Sequence, residues 1–313
     1  MSVGVAVVIP AFNHATYLAA AIDSVLAQDY PDIDLLVIDD GSTDDTRRVL
    51  ERYGTRLRWF SRGNRGQSAT LNEGWTKTRG ELLLYLGDDD VLLPGAVATA
   101  VAAMEADASL IGVYGDYVII DEQSRTLRRV RMPDVDVRHM LRDFMTPPAA
   151  GALFRRTVWE AVGGWDESLR QVPDRDFYQR ALLIGRMARL DALLAAFRVH
   201  AESQTFKPRD SSRAAEPILV VDRFFERPDV PADLRPLQSR AKALARVVAA
   251  RHDLRRRDWP AALRHMAAAL SVQPRIAVSP TAWRFIANGL GVRRSWASRN
   301  EDADRNSQGA GPL

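Results

Sequence analysis

The chain has 313 residues, of which 46% are hydrophobic and 27% charged, and it contains no cysteine. That composition is typical of a globular protein with a large core, and the missing cysteines exclude disulfides, thiolate metal sites and cysteine nucleophiles. No apolar run reaches the ~20 residues that span a bilayer, and no secretion leader opens the chain. We therefore expect a protein of the cytoplasm or of the inner face of the membrane.

The net charge of +3 divides unevenly along the chain. Residues 1–200 carry 23 Lys/Arg and 28 Asp/Glu, whereas residues 201–313 carry 20 and 12, a net charge of +8. A basic segment of this kind favours an anionic membrane surface, a nucleic acid or a solvated helical face. Because arginine outnumbers lysine along the whole chain, genome composition explains the preference better than a binding site does.

The first 120 residues alternate strand and helix patterns. Continuous apolar runs, typical of strands buried on both faces of a parallel sheet, cover Val3–Pro10, Ile33–Asp40 and Glu81–Leu86, with a short strand at Leu57–Phe60. Helical patterns lie between them, over Tyr17–Gln28, Ser42–Tyr53 and Gln67–Thr78. The alternation predicts an α/β fold with a doubly wound, mostly parallel sheet. Ligands bind such sheets at the carboxyl ends of the strands, in the loops Pro10–His14, Asp39–Ser42 and Gly87–Asp90.

From about Ile111 onward, short strand and helix patterns mix, with strands at Met187–Leu190 and Leu194–Val199. After residue 207 the pattern predicts only helices, at Ala214–Glu226, Pro231–His252, Pro260–Leu270 and Pro280–Asn288. The last dozen residues have the composition of a disordered end. The chain is thus expected to comprise a sheet domain (1–208), a helical extension (209–300) and a disordered tail (301–313).

The strand ends carry acids instead of a phosphate-binding glycine loop. Neither G-x-G-x-x-G nor G-x-x-x-x-G-K-[ST] occurs, which removes the main support for dehydrogenase and P-loop functions. Asp39 and Asp40 follow the second strand, and Asp88, Asp89 and Asp90 follow a later one. Clustered carboxylates at such an edge either accept hydrogen bonds from a base or ribose or hold a hard divalent cation. The alternative, helix capping, is preferred only for the acids at 44 and 45.

Three blocks of sequence carry a resemblance: VVIPAFNHATYLAAAIDSVLAQDYPDIDLLVIDDGSTDDT, NRGQSATLNEG and GELLLYLGDDDVLLPGA. In order and spacing they resemble the family 2 inverting glycosyltransferases of the GT-A fold, and the similarity extends to about residue 205. The resemblance implies a site for a nucleotide-diphosphate sugar. It assigns the base and ribose contacts to residues of the strand-end loops and of the helix after residue 66: Pro10, Ala11, Phe12, Asp39, Asp40, Gln67 and Asn72.

The family's metal motif, L-D-x-D-D followed by a proline, aligns here on Pro94 and has Gly87 in place of its first aspartate. The resemblance then implies that Asp88 contacts the ribose and metal and that Asp89 is the direct ligand of Mn²⁺ or Mg²⁺. Asp90 is expected to cap the helix that starts near Pro94. A register with ligands at 88 and 90 is the competing one. His200 matches a histidine that closes over the diphosphate or metal, whereas without the resemblance it reads as a packing or surface residue.

The expected catalytic base lies in the segment that begins at Val172. The family's E-D-x-D appears there as Pro173-Asp174-Arg175-Asp176, so proline replaces the usual glutamate. The resemblance makes Asp174 the residue that deprotonates the acceptor hydroxyl. Asp176 and Arg180 are expected to be structural partners at (i, i+4) spacing.

The acceptor side is less well marked. Trp165, in the loop Gly163–Asp166, resembles the family's acceptor loop and is able to stack on a sugar, although a buried core tryptophan is the alternative. Asp116 and Tyr114 are placed at the start of the acceptor side, with a strand-end turn as the alternative.

The implied function is inverting transfer of a sugar, preferably from a UDP-sugar, to a hydroxyl of a sugar or lipid-linked acceptor in polysaccharide or glycolipid assembly. The first alternative is a non-catalytic nucleotide-sugar-binding protein that has lost activity through Gly87 and Pro173. Nucleic-acid binding through the basic end ranks third, since no reader motif accompanies the charge, and no nucleic-acid partner is expected. The helical extension is predicted to lie outside the nucleotide site, either touching anionic lipid at the membrane periphery or capping the sheet domain.

Overall fold

A single sheet organises the first two thirds of the chain. In the computed structural model, which describes residues 2–203 and 211–290, nine strands pair in the order β3-β2-β1-β4-β8-β6-β9-β5, with β7 on the outer part of β6. The strands β1 to β4 are mutually parallel, while β8 runs antiparallel to both of its neighbours. The strand bounds are as follows: β1 Val5–Ala11, β2 Ile33–Asp39, β3 Arg58–Ser61, β4 Leu82–Tyr85, β5 Val91–Leu92, β6 Leu110–Ile120, β7 Thr126–Val130, β8 Leu153–Arg155 and β9 Arg186–Arg198.

Helices cover both faces of this sheet and continue alone after residue 211. Short 3₁₀ turns lie at Gly54–Arg56, Ala232–Leu237 and Pro274–Val278. Among the described helices, none combines the length and the apolar character that a bilayer crossing demands. The helix bounds are as follows: α1 Ala15–Leu26, α2 Thr46–Glu51, α3 Gln67–Lys77, α4 Ala96–Ala106, α5 Val137–Asp143, α6 Arg156–Val162, α7 Pro173–Ala181, α8 Ser211–Glu226, α9 Gln238–Arg255, α10 Trp259–Val272 and α11 Pro280–Gly289.

Strand β1 shows why a continuous apolar run is needed at the centre of the sheet. Alternate side chains point to opposite faces, so Val7 packs with α1 and α4, whereas Val8 packs with Leu71 and Trp75 of α3. All of these side chains are fully buried. Helix α3 approaches closely because Gly74 faces the strand: a Cβ there would lie 2.5 Å from a methyl carbon of Val8. Helices packed on both faces hold β1 in place, and the loop that follows β1 at the site is positioned with it.

The extension shares a core with the sheet domain. Leu141 of α5 packs in one cluster with Val221 and Phe224 of α8 and with Ala241 of α9. A second contact joins Phe144, just after α5, to the extension through the core around α9 and α11. The predicted boundary near 208 and the predicted tail over 301–313 lie outside the described residues.

Three local predictions differ from the structure. The two strands expected between 187 and 199 form one strand, β9, which pairs along most of β6. The helix expected from Pro231 begins as a 3₁₀ turn that contains Pro236, and α9 starts only at Gln238, because proline lacks the N–H of an α-helical interior. The expected Ser42–Asp45 capping pair does not form; instead Asp44 accepts from the amide of Thr46 at 3.0 Å.

Candidate active site

A cavity of about 1150 Å³ opens at the carboxyl ends of β1, β2 and β4, where the sequence placed the ligand loops. Its wall is completed by the segment before α7 and by side chains of the extension. Most of the predicted site residues border it, namely Pro10, Phe12, Asp40, Gln67, Asp88, Asp89, Trp165 and Asp174. Five others are absent from the described lining: Ala11, Asp39, Asn72, Asp116 and His200.

The nucleotide end of the cavity has an exposed aromatic ring, that of Phe12, and a carboxylate, that of Asp40, whose oxygens already have protein partners. Phe12 is 43% exposed at the rim of the cavity and offers a face on which a base can stack. Asp40 accepts from the amides of Arg65 at 2.9 Å and Gly66 at 2.7 Å and pairs with Arg62. It therefore holds the loop that leads into α3, and its contact with a base stays a prediction.

Asp39 and Asn72 have structural partners instead of facing the cavity. Asp39 accepts from the amide of Ser42 and the hydroxyl of Ser61, which closes the turn after β2. The Asn72 amide donates to the carbonyl of Trp165 at 2.8 Å and accepts from its amide at 2.9 Å, so it fastens the 163–166 loop to α3. The structure thus gives both side chains a role other than the expected ligand contact.

The two residues predicted on the acceptor side, Asp116 and Trp165, are both buried. Asp116 is fully buried within β6, where it pairs with Arg189 at 2.8 Å and accepts from the amide of Met132 at 3.0 Å. These contacts give Asp116 a structural role within the sheet. Trp165 is 3% exposed and stacks on Phe177 with ring centroids 5.7 Å apart, so the core interpretation fits the structure better than stacking on a sugar.

Four side chains gather at the ends of β1, β4 and β9. Asp88 accepts from the amide of Phe12 at 2.8 Å and contacts Nδ1 of His14 at 2.8 Å. Asp89 lies 3.0 Å from Nε2 of His200. One donor atom from each of His14, Asp89 and His200 lies within 4.8 Å of the others. The sequence reasoning missed His14, although it stands in the first-strand loop, which the topology had already selected.

This cluster fits a divalent cation by the chemistry of its donor set. Two imidazoles and a carboxylate suit Mn²⁺ and its neighbours in the first transition row. Burial raises the pKa of Asp88 above its usual value, and the charge of Asp89 adds to that effect. Burial disfavours the charged form of His14, but its hydrogen bond to Asp88 and the acids around it raise the pKa of His14 to about 9. A positive charge beside Asp88 and Asp89 therefore stabilises their ionised forms.

Asp90 does not cap the following helix. Helix α4 starts at Ala96 behind Gly95, and Asp90 instead accepts from the amide of Arg198 at 3.0 Å while only 5% exposed. The carboxylate that opens onto the cluster is that of Asp89, which is 17% exposed. The competing register with ligands at 88 and 90 therefore receives no support from the geometry.

Gly87 explains the departure from the family's metal motif. A Cβ at this position would lie 2.7 Å from Oδ1 of Asp89 and 3.0 Å from Oδ2 of Asp90. The space that a first aspartate would need is thus filled by the two carboxylates that follow.

Asp174 lies in the first turn of α7, which begins at Pro173. Burial raises the pKa of Asp174, although the amide and charge of Arg175 act in the opposite direction. The guanidinium of Arg175 is turned away: it donates to the carbonyl of Met140 and lies 3.6 Å over the ring of Phe144. A partly buried carboxylate with a raised pKa at a cavity wall is suited to accept a proton.

Asp176, the nearest alternative, is held by Arg180. Two guanidinium nitrogens of Arg180 contact Oδ2 of Asp176, at 2.9 Å and 2.6 Å, across one helical turn. Arg180 also donates to the carbonyl of Gly164 at 2.8 Å. The expected structural partnership is present, and Asp176 is not among the described residues that line the cavity.

Glu216 of α8 is a site residue that the sequence reasoning did not find. It is 7% exposed and accepts from three consecutive amides, those of Arg170 at 2.9 Å, Gln171 at 2.5 Å and Val172 at 3.2 Å. These amides belong to the segment that leads directly into α7. Other side chains of the extension border the cavity. That the extension lies outside the nucleotide site stays a prediction.

Residues 6–163 match the family model described as "Glycosyl transferase family 2". An uncharacterized glycosyltransferase of Rickettsia felis is 30% identical over 212 residues, which are 65% of this chain and 35% of that protein. The matched region thus spans about a third of the length of that relative.

Two solved structures share the fold. TarS 1–349 of S. aureus, in complex with UDP-GlcNAc, aligns with a TM-score of 0.61 and 17% identity over 88% of this chain and 92% of that one. The mannosyltransferase PcManGT of Pyrobaculum calidifontis, in complex with GDP-Man and Mn²⁺, aligns with a TM-score of 0.61 and 18% identity over 95% and 88% of the two chains. The predicted GT-A fold with a C-terminal helical extension is confirmed. Because the family model covers half of the chain, this protein belongs to glycosyl transferase family 2.

Proposed function

We propose that the protein transfers a sugar from a nucleotide-diphosphate sugar to a hydroxyl group of an acceptor, with inversion at the anomeric carbon. The observation that carries this proposal is the shared cavity: in a family 2 chain, Asp174 borders it together with His14 and Asp89 of the cluster, and His200 lies 3.0 Å from Asp89. A base and a cation site on one cavity are what a single displacement requires.

The donor is proposed to bind at the ends of β1, β2 and β4. Phe12 and Pro10 would take the base, while Asp40, Gln67 and Asp88 would face the base and ribose. The solved structures with this fold bind UDP-GlcNAc or GDP-Man, which supports a nucleotide-sugar donor, and we favour a UDP-sugar.

His14, Asp89 and His200 would hold the divalent cation, with Asp88 supporting His14 from behind. When bound, Mn²⁺ or Mg²⁺ supplies positive charge that stabilises the departing diphosphate. In the proposed displacement, the acceptor oxygen attacks the anomeric carbon as the bond from that carbon to the diphosphate breaks. Asp174 takes the hydroxyl proton, and the nucleoside diphosphate leaves with the bonding electron pair. Burial raises the pKa of Asp174, which makes its carboxylate a better proton acceptor and so suits a general base.

A panel of nucleotide sugars, with Mn²⁺ or Mg²⁺ and scored for hydrolysis and transfer, tests the proposal. Turnover of one donor that stops on chelation supports it. Metal-dependent UDP binding without turnover of any donor would instead favour the non-catalytic nucleotide-sugar-binding alternative. The proposed setting is polysaccharide or glycolipid assembly in the cell envelope, with a sugar or lipid-linked acceptor.

Glu216→Gln is expected to lower kcat about tenfold and to reduce the free energy of unfolding by about 1–3 kcal/mol. The neutral amide places an N–H donor where an oxygen accepts backbone amides, so the segment before Asp174 loses part of its anchor. Steady-state kinetics and thermal unfolding check this. The matched control is Glu226→Gln, an exposed glutamate at the end of the same helix, which should behave as wild type. Equal kcat in both variants would contradict the assignment.

For the extension we propose contact with anionic lipid in addition to its packing role. Large apolar side chains of α10 and α11 are exposed, with Trp259 at 53%, Leu263 at 69% and Trp283 at 59%. Tryptophan and leucine beside basic residues are typical of helices that lie in a membrane interface. We expect the chain to co-sediment with anionic vesicles and to be released by salt. If the chain does not sediment with these vesicles, the proposed lipid contact is wrong and packing is the role that remains.

A further inference from the structure

The part of the cavity wall that the extension contributes is strongly basic. Among the described residues of α8 to α11 that line the cavity, four are basic or imidazole side chains and none is acidic. They are Arg213, Arg251, His252 and Arg255. The nearby acid Asp253 faces elsewhere, since it contacts His265 at 2.7 Å and Arg256 at 2.8 Å.

Two aromatic rings connect this basic wall to the segment that carries the proposed base. Arg175, which follows Asp174 in the chain, covers the ring of Phe144. That ring packs edge-on against Phe285 with centroids 6.2 Å apart, and the guanidinium of Arg251 lies 5.3 Å from the Phe285 centroid. The contacts therefore connect the position of Asp174 to the arginines through two phenylalanine rings.

The surroundings of Arg251 disfavour its positive charge. Its Nη2 contacts Nε2 of the buried His252 at 3.1 Å, and its Nε is buried without a hydrogen-bond partner among the described residues. Burial and the charge of Arg255 lower the pKa of Arg251 to about 10. An arginine nitrogen that is buried without a hydrogen-bond partner among the described residues, on a cavity wall with a second arginine beside it, indicates a site for an anion.

We propose that Arg213, Arg251 and Arg255 bind a phosphate group carried by the acceptor, and so hold its hydroxyl toward Asp174. This inference rests on the proposed function and names the acceptor class: a phosphate-bearing molecule. Arginine forks match phosphate oxygens in paired hydrogen bonds, which explains three guanidinium groups on one wall. The phosphate belongs either to a lipid diphosphate carrier or to a water-soluble phosphate ester.

Two probes separate these sources. Binding of farnesyl diphosphate and of glycerol 3-phosphate is measured by calorimetry with the wild-type chain, in saturating UDP and excess Mg²⁺, so that the nucleotide end is filled. We expect at least one probe to bind, and more weakly as salt rises. Tighter binding of farnesyl diphosphate assigns a lipid carrier, and tighter binding of glycerol 3-phosphate assigns a soluble ester.

The decisive comparison uses two variants of α9. Arg251→Gln/Arg255→Gln is expected to weaken probe binding at least about tenfold, because charge-assisted hydrogen bonds are lost. Arg246→Gln removes one positive charge from the same helix. The Arg246 side chain donates to the backbone carbonyl of Lys242 and is not among the described residues that line the cavity, so this variant should bind the probe as wild type. Thermal unfolding and UDP affinity of each variant check that its fold is intact.

Equal probe affinity in the double variant and the wild type would overturn the phosphate site, as would a wild type that binds neither probe. The donor panel keeps the two proposals apart. If the wild type turns over a nucleotide sugar but binds neither probe, the phosphate site fails and the proposed function stands. If no donor is turned over, the proposed function fails, and loss of probe binding in the double variant alone still establishes an anion site.

Discussion

Asp174→Asn is expected to lower the rate of sugar transfer by about 10²- to 10⁴-fold, the usual contribution of a general base. Asparagine keeps the size of the side chain but cannot take the acceptor proton. Binding of UDP and of the metal should stay at the wild-type level, because the nucleotide is assigned to the ends of β1, β2 and β4 and the metal to His14, Asp89 and His200. Transfer kinetics and UDP titration in parallel measure the two quantities.

Asp176→Asn provides the matched comparison on the same helix. This substitution breaks the two-pronged contact with Arg180 and should reduce the free energy of unfolding by about 1–3 kcal/mol while leaving a turnover close to wild type. If Asp176→Asn abolished transfer and Asp174→Asn did not, the base would be the wrong aspartate. If neither substitution slowed transfer, the single-displacement proposal itself would be in error.

Asp89→Ala is expected to lower metal-dependent turnover by about 10³-fold or more. A bound cation stabilises the leaving group by several kcal/mol, and each 1.36 kcal/mol changes a rate tenfold. Asp89 is the carboxylate that reaches His200 and completes the three-residue cluster with His14. Turnover as a function of Mn²⁺ concentration and a direct Mn²⁺ titration measure the loss.

Asp90→Ala distinguishes the two possible registers of the acidic run. Asp90 bonds the amide of Arg198, so its removal should cost about 1–3 kcal/mol of stability and leave the Mn²⁺ affinity close to wild type. Loss of Mn²⁺ binding in Asp90→Ala, together with full activity in Asp89→Ala, would restore the alternative in which residues 88 and 90 hold the metal.

The sheet half of the molecule was predictable because its signals are local. Uninterrupted apolar runs gave β1, β2 and β4 within two residues, and their parallel order fixed which loops share an edge. The role of Asp90 was not predictable in this way. Its partner is the amide of Arg198, 108 residues away, and the antiparallel pairing of β5 with β9 brings the two together.

The residues of the candidate site also divide into those with a local sequence signal and those whose role depends on distant contacts. Asp89 and Asp174 were located through motifs, since each lies beside a recognisable strand end or helix start. Asn72 and Asp116 had no such marker and proved to fasten a loop and a strand. Glu216 was missed because a glutamate inside an amphipathic helix has no distinctive pattern: its importance depends on three amides that are more than 40 residues earlier in the chain.

The anchoring by Glu216 has a consequence for attempts to alter this protein. One carboxylate accepts from the main-chain amides at positions 170 to 172 and requires no particular side chain there apart from an available N–H. Gln171 borders the cavity, so its side chain can change while the backbone before Asp174 keeps its course, whereas Arg170 also donates to the carbonyl of Arg65 at 2.7 Å. A library that randomises residue 171, with Arg170 and Glu216 fixed, is therefore a direct route to altered acceptor choice.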